Sequence, residues 1–178
     1  TLQVQQQCQS DFTSHSFMLG GNLVRSDTQV LFNDEHAECT LNGLYLSKAK
    51  QHIDHHTLID HAKPHNKSNQ YYKGILADFS RAVFNGKVIV QPGASKTSAK
   101  QSNKNLLLSN NAEIDTKPQL EIYNDDVQCT HGATVGQINN DALFYLQSRG
   151  ISHDVAYGML INAFAKEVLE QVPLAEIK

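Results

Sequence analysis

The stretch Ser95-Lys96-Thr97-Ser98-Ala99-Lys100-Gln101-Ser102-Asn103-Lys104-Asn105 carries almost only small and polar side chains. With Asn110-Asn111, it suits side chains that stack between successive coils of a solenoid. Short strand candidates lie on both sides of it: 37–41, 43–46, 52–60, 73–78, 82–90, 105–108, 119–123 and 126–131. Leu2-Gln3-Val4-Gln5 has the same strand-like character. Asn42-Gly43, Asn85-Gly86, Pro64, Pro92 and Pro118 punctuate these runs and read as turns. No amphipathic helix of useful length interrupts them. Residues 1 to about 135 therefore form an all-β layer, either a sandwich or a parallel β-helix. The polar runs and the irregular strand spacing tilt toward the β-helix, although no strict repeat is visible.

A different texture follows. Asn140 suits the N-cap of a short helix over 141–148, with Asp141 near its positive end. Gly150 can end that helix in the left-handed conformation. Ser152 then caps a longer helix from His153 to about Val172, with Asp154 in its first turn and Pro173 as its stop. Ala156, Leu160, Ala163, Phe164, Glu167 and Val168 fall on neighbouring positions at helical spacing. The expected organisation is a β core over 1–136 and a helical hairpin over 137–178.

Composition narrows the function classes. Hydrophobic residues make up 40% and charged residues 19% of the 178, which is a globular balance. The formal charge is −3 and the basic residues form no run, so nothing favours nucleic acid or an anionic membrane. No apolar stretch has the length of a membrane span. Cys8, Cys39 and Cys129 are too few and too scattered for a disulfide framework, and reduced thiols of a cytoplasmic protein are the simpler expectation. The opening at Thr1 and the abrupt end at Lys178 suggest a piece of a longer protein.

Two side-chain groups could bind a metal. Cys129-Thr130-His131 on a strand places thiol and imidazole on one side, a ligand pair suited to iron, zinc or an iron–sulfur cluster. Two ligands do not complete a site. The plainer alternative is a small buried hydrophobe at Cys129 and a hydrogen-bonded turn residue at His131. Val127 shares their face and favours an inward Cys129. The second group is the histidine cluster His52, His55, His56, His61 and His65. His52, Asp54 and His56 would share one strand face, which could hold a divalent metal or simply hydrogen-bond along adjacent coils. Neither a phosphate-binding loop around Lys73-Gly74 nor a nucleophile elbow is present. The joint Ser148-Arg149-Gly150-Ile151-Ser152 serves as a connector or as part of a docking surface.

An ordered set of phrases carries a resemblance. Gln51-His52-Ile53-Asp54, Tyr72-Lys73-Gly74-Ile75-Leu76 and Phe84-Asn85-Gly86-Lys87-Val88 come first. Asn105-Leu106-Leu107-Leu108-Ser109 and Lys117-Pro118-Gln119-Leu120-Glu121-Ile122 follow, then 125–136 with Cys129-Thr130-His131-Gly132-Ala133-Thr134, and last 143–151. Over almost the whole chain this resembles the SufB/SufD family of iron–sulfur cluster assembly proteins. The SufB branch has a Glu after the histidine; Gly132 stands there, as in the SufD branch. The resemblance implies a right-handed parallel β-helix with a C-terminal α-helical hairpin. It implies a scaffold without enzymatic turnover that pairs with SufB through the core and docks the SufC ATPase on the helices. A transient Fe–S cluster would form at the SufB interface, with His131 as the family histidine and Cys129 as a nearby cysteine. A homodimer in isolation would use the surface that SufB covers. The rivals are a carbohydrate-active β-helix enzyme, disfavoured by 7% aromatic residues and no Trp, and a self-contained histidine-cluster metal protein.

Overall fold

The computed structural model describes residues 1–173. Among these, ten strands precede two helices. The strands are β1 (Leu2–Gln6), β2 (Asp11–Met18), β3 (Leu23–Phe32), β4 (Glu38–Ser47), β5 (His52–His61), β6 (Lys67–Leu76), β7 (Arg81–Val90), β8 (Ser98–Leu107), β9 (Glu113–Ile122) and β10 (Gln128–Gly136). The helices are α1 (Asn140–Ser148) and α2 (His153–Leu169). Odd-numbered strands form one parallel sheet, β1-β3-β5-β7-β9, and even-numbered strands form the other, β10-β8-β6-β4-β2. Each coil contributes one strand to each sheet, and five coils stack into a parallel β-helix. Leu23 pairs with His52, His52 with Arg81 and Arg81 with Glu113. That is roughly 30 residues per coil, within the range of solenoid repeats.

Alternation drives this winding. In β5, Ile53, His55, Thr57, Ile59 and His61 are buried, while the residues between them are half-exposed. β7 repeats the pattern with Ala82, Phe84, Gly86, Val88 and Val90 inside. The core between the sheets joins Val30, Phe32, Leu41, Tyr45, Ile53, Ile59, Tyr72, Leu76 and Phe84. The strands run longer than apolar runs alone suggest, because many inward positions are polar: Gln70, Gln101, Asn103 and Asn105 are all buried. They bond one another and Tyr45: Asn105 Nδ2–H donates to Asn103 Oδ1 at 2.6 Å, Tyr45 Oη–H to Asn105 Oδ1 at 2.5 Å and Asn103 Nδ2–H to Tyr45 Oη at 3.1 Å. Residues 11–32 form two strands, β2 and β3, that the sequence reading left unassigned.

Asn42-Gly43 and Asn85-Gly86 are not turns. They lie inside β4 and β7. Gly43 faces Tyr72, its register partner, and Gly74 faces Tyr45. A Cβ at either glycine would run into the ring, so the missing side chain makes room for a large one on the next coil. Most corners are instead built by non-glycine residues with positive φ, while Gly21 and Gly93 stand in two of the connections. Gln9, His36, His65 and Lys96 form one column of such corners, and Ala49 and Asp78 stand at others. Inter-coil hydrogen bonds hold the column, for example His65 N–H to Ser95 O at 2.9 Å. Asn66 is fully buried beside it and bonds Ala37 N–H, Asp34 O and Lys63 O.

The hairpin packs on the even-numbered sheet. Asn139, one residue earlier than expected, caps α1 through Oδ1 with the N–H groups of Asp141 and Ala142 at 2.9 and 3.0 Å. Gly150 takes the expected left-handed conformation, φ 84°. Ser152 occupies the N-cap position of α2 without a side-chain capping bond. Ile161, Phe164, Ala165, Val168 and Leu169 of α2 pack against Leu44, Leu46, Ile75 and Leu106. Ala163, expected on that stripe, is exposed. The helix ends at Leu169, and residues 174–178 of the expected helical region lie outside the described residues. No helix among the described residues is long and apolar enough to cross a membrane.

Candidate functional site

The last coil leaves the interior uncovered. β9 and β10 are the final strands of their sheets, so one edge of each has unpaired backbone groups. Cys129 pairs in register with Ala99 and His131 with Gln101, and both partners are buried inward residues. Cys129 and His131 therefore face the interior side of the last coil, about 6.7 Å apart along the strand. Cys129 is half-buried, packed with Val127 against the core. His131, two residues closer to the middle of the strand, is exposed. Ile122 and Val135 leave apolar surface at the same end, 42% and 50% exposed.

The two side chains differ in readiness. Burial raises the Cys129 thiol above its ordinary range, offset in part by a backbone hydrogen bond from Ala99. A thiol held protonated is a poor ligand and nucleophile until a metal displaces its proton. His131 presents its imidazole at the exposed surface. Among the described residues, no three His, Cys, Asp or Glu side chains stand close enough to hold a metal ion. The two side chains share one strand face as expected, and no third such side chain among the described residues joins them.

The histidine cluster is divided by strand alternation. His52, Asp54 and His56 lie on the outer face of β5, as expected. His56 Nε2 is 2.9 Å from Asp54 Oδ1, and Asp54 also takes Arg25 of the preceding coil at 3.2 Å. The Arg25 contact is a hydrogen bond between adjacent coils, whereas the His56 contact stays within β5. His55 and His61 point into the core instead. His55 lies between the rings of Tyr45 and Tyr72, with centroids 5.1 and 5.3 Å away. His61 stacks on Phe32 at 4.5 Å and bonds Ser68 Oγ at 2.8 Å. Burial lowers them to about 4 and about 3, so both are neutral imidazoles. His65 stacks on His36 at an exposed corner, centroids 4.9 Å apart.

Lys73 has a role that its neighbourhood in sequence conceals. Its side chain is 1% exposed beneath α2. The ammonium donates to Phe164 O at 2.7 Å, pairs with Glu167 at 2.7 Å and sits 4.1 Å from the Phe164 ring centroid. Tyr71 Oη–H also donates to Glu167, at 2.5 Å. Hydrogen bonds from Lys73 and Tyr71 hold the Glu167 carboxyl down at about 2. A lysine in an apolar strand and a glutamate in an apolar helix stripe were the signals for this clamp. It fixes the hairpin so that Phe144, Tyr145, Val155 and Met159 face outward, all exposed.

The profile of the family described as "SUF system FeS cluster assembly, SufBD core domain" matches residues 1–164. The chain belongs to the SufBD family. It is 46% identical over 157 residues to the iron–sulfur cluster assembly protein SufD of Escherichia coli, covering 88% of this chain and 37% of that protein. It is 40% identical over 178 residues to a SufBD family protein of Synechocystis, covering 100% of this chain and 39% of that protein. It is 36% identical over 176 residues to the chloroplastic protein ABCI7 of Arabidopsis thaliana, covering 98% of this chain and 37% of that one. The chain thus spans under two fifths of these relatives, and the residues matched by the family profile include the β-helix with Cys129 and His131.

Proposed function

We propose that this chain forms the partner-facing core of a SufD-type scaffold subunit, on which iron–sulfur clusters are assembled without turnover by the subunit itself. The observation that carries the reading is the position of Cys129 and His131: side by side on the last strand, facing an uncovered end, with no third ligand of this chain among the described residues. Iron and its clusters need more ligands than this pair supplies. A SufB chain packed against the open end would bring them, and the cluster would be transient cargo held between two chains. The exposed edges of β9 and β10 and the apolar Ile122 and Val135 support contact at this end. In isolation, a second copy of the chain would occupy the same surface as a homodimer.

The outward apolar face of the hairpin, Phe144, Tyr145, Val155 and Met159, is the surface assigned to SufC. ATP binding by SufC would move the hairpin through the Lys73–Glu167 clamp and shift the population of open and covered cluster sites. The free cysteines suit a reducing compartment, in keeping with a cytoplasmic assembly. The test is His131→Ala in the complete SufB–SufD–SufC complex. The fold should be intact and cluster assembly should fall strongly; assembly at the wild-type rate would refute the reading.

A further inference from the structure

A column of side chains runs through the interior toward His131. Leu41, Gln70, Gln101 and His131 are register partners on successive coils of the even-numbered sheet, all on its inner face. Gln70 Oε1 accepts two hydrogen bonds, from the Thr57 hydroxyl at 2.8 Å and from Gln101 Nε2–H at 3.3 Å. The second bond turns the Gln101 amide so that its nitrogen faces the preceding coil. Gly86 on the opposite sheet gives that amide its space, since a Cβ there would strike Gln101 Nε2. Gln101 is 3% exposed, and its carbonyl oxygen is buried with no hydrogen-bond partner. The next side chain in the column is the exposed imidazole of His131.

We propose that Gln101 is the positioning residue for His131: its side-chain carbonyl accepts one imidazole N–H and leaves the other ring nitrogen facing the open end. The inference rests on His131 being a ligand-bearing residue of the assembly site, as proposed above. Strand spacing of about 4.8 Å puts stacked side chains of adjacent coils within reach of each other. A buried carbonyl without a donor is costly, and an imidazole fixed as donor at one nitrogen offers its lone pair at the other. Metal-binding histidines are oriented in this way by an acceptor behind them. In the free chain, water competes for His131. A partner covering the end removes that water and closes the bond to Gln101, so the ligand is aimed only once the site is assembled.

The test uses full-length protein with histidine labelled by 15N in the ring, alone and in complex with its partner subunit. Spectra are recorded near pH 8.5, where imidazoles are ordinarily neutral, and His131→Gln assigns the signal. One tautomer of His131 should dominate in the wild-type complex. Gln101→Met should convert it to a mixture and slow cluster assembly about tenfold, the low end of what such supporting residues contribute. Gln101→Glu, which keeps an acceptor, should restore the single tautomer. A tautomer mixture in the wild-type complex overturns the proposal without any variant at position 101. An unchanged single tautomer in Gln101→Met overturns it as well. If His131→Ala assembles clusters normally while Gln101→Met still scrambles the tautomer, the positioning contact stands and the ligand role of His131 falls.

Discussion

Replacing Glu167 with alanine should destabilise the protein more than replacing Lys73 with methionine, although the two residues form one ion pair. The reason is their unequal exposure: the Lys73 side chain is 1% exposed and that of Glu167 55%. Glu167→Ala leaves an ammonium buried under α2 with only Phe164 O and two aromatic faces for company. Removing one partner of a fully buried pair costs about 3–5 kcal/mol. The remaining carbonyl bond and the half-exposed glutamate lower this to about 2–3 kcal/mol. Lys73→Met removes the buried charge itself and fills the same slot with an apolar chain. The Glu167 left behind faces water, so the net cost should stay within about 1 kcal/mol. Urea unfolding monitored by circular dichroism gives the two values, and hydrogen exchange shows whether the loss is confined to α2. A larger loss for Lys73→Met than for Glu167→Ala would refute the reasoning. The clamp also responds to acid. The Glu167 carboxyl is held from its ordinary 4.5 down to about 2, so its stabilisation is full above pH 4.5 and fades as pH falls through that interval.

Three further outcomes are expected. His55 and His61 are buried neutral, lowered from 6.5 to about 4 and about 3, so their contribution is complete above pH 6.5 and lost as pH falls toward those values; this represents about 3 kcal/mol for His55 and about 5 kcal/mol for His61. The urea midpoint should therefore drop between pH 7.5 and 5, and His55→Phe should flatten that drop; an unaltered pH dependence would count against burial as its cause. Gly74→Ala drives a methyl into the Tyr45 ring and Asn105 and should cost at least about 2 kcal/mol, whereas Gly132→Ala, with open space around it, should be nearly neutral by thermal unfolding. Phe144→Asp or deletion from residue 152 onward should abolish SufC binding in a pull-down, with the β-helix spectrum retained after Phe144→Asp; undiminished SufC would remove the hairpin from the interface.

The solenoid class was legible in the small and polar run Ser95–Asn105, and strand extents were legible where apolar alternation is clean, as in β5 and β7. Strand extents were hidden where polar residues point inward. Ser14, Ser16, Ser26 and Thr28 made β2 and β3 look like loop, and Gln101 and Asn103 shortened β8 to its apolar end. Asn-Gly pairs were misread because the glycines serve ring packing between coils, a tertiary demand that local turn chemistry imitates. The real corners use Gln9, His36, His65 and Lys96 in a conformation that nothing in their side chains announces. At the site, strand alternation correctly placed Cys129 and His131 together. It could not show that Cys129 is half-buried, that His131 crowns a column from Gln70 and Gln101, or that the end is open. The Lys73–Glu167 pair joins residues far apart in sequence and became visible only with α2 docked on the sheet.

The central claim is that the end of the β-helix at Cys129 and His131 is half of a site that a second chain completes. Anaerobic iron and sulfide analysis tests it most directly, on the full-length protein alone, on its complex with the partner subunit, and on both with His131→Ala. We expect stoichiometric cluster iron only in the wild-type complex, with the isolated protein and both His131→Ala samples near background. A full cluster held by the isolated protein, or by the His131→Ala complex at the wild-type level, would contradict it.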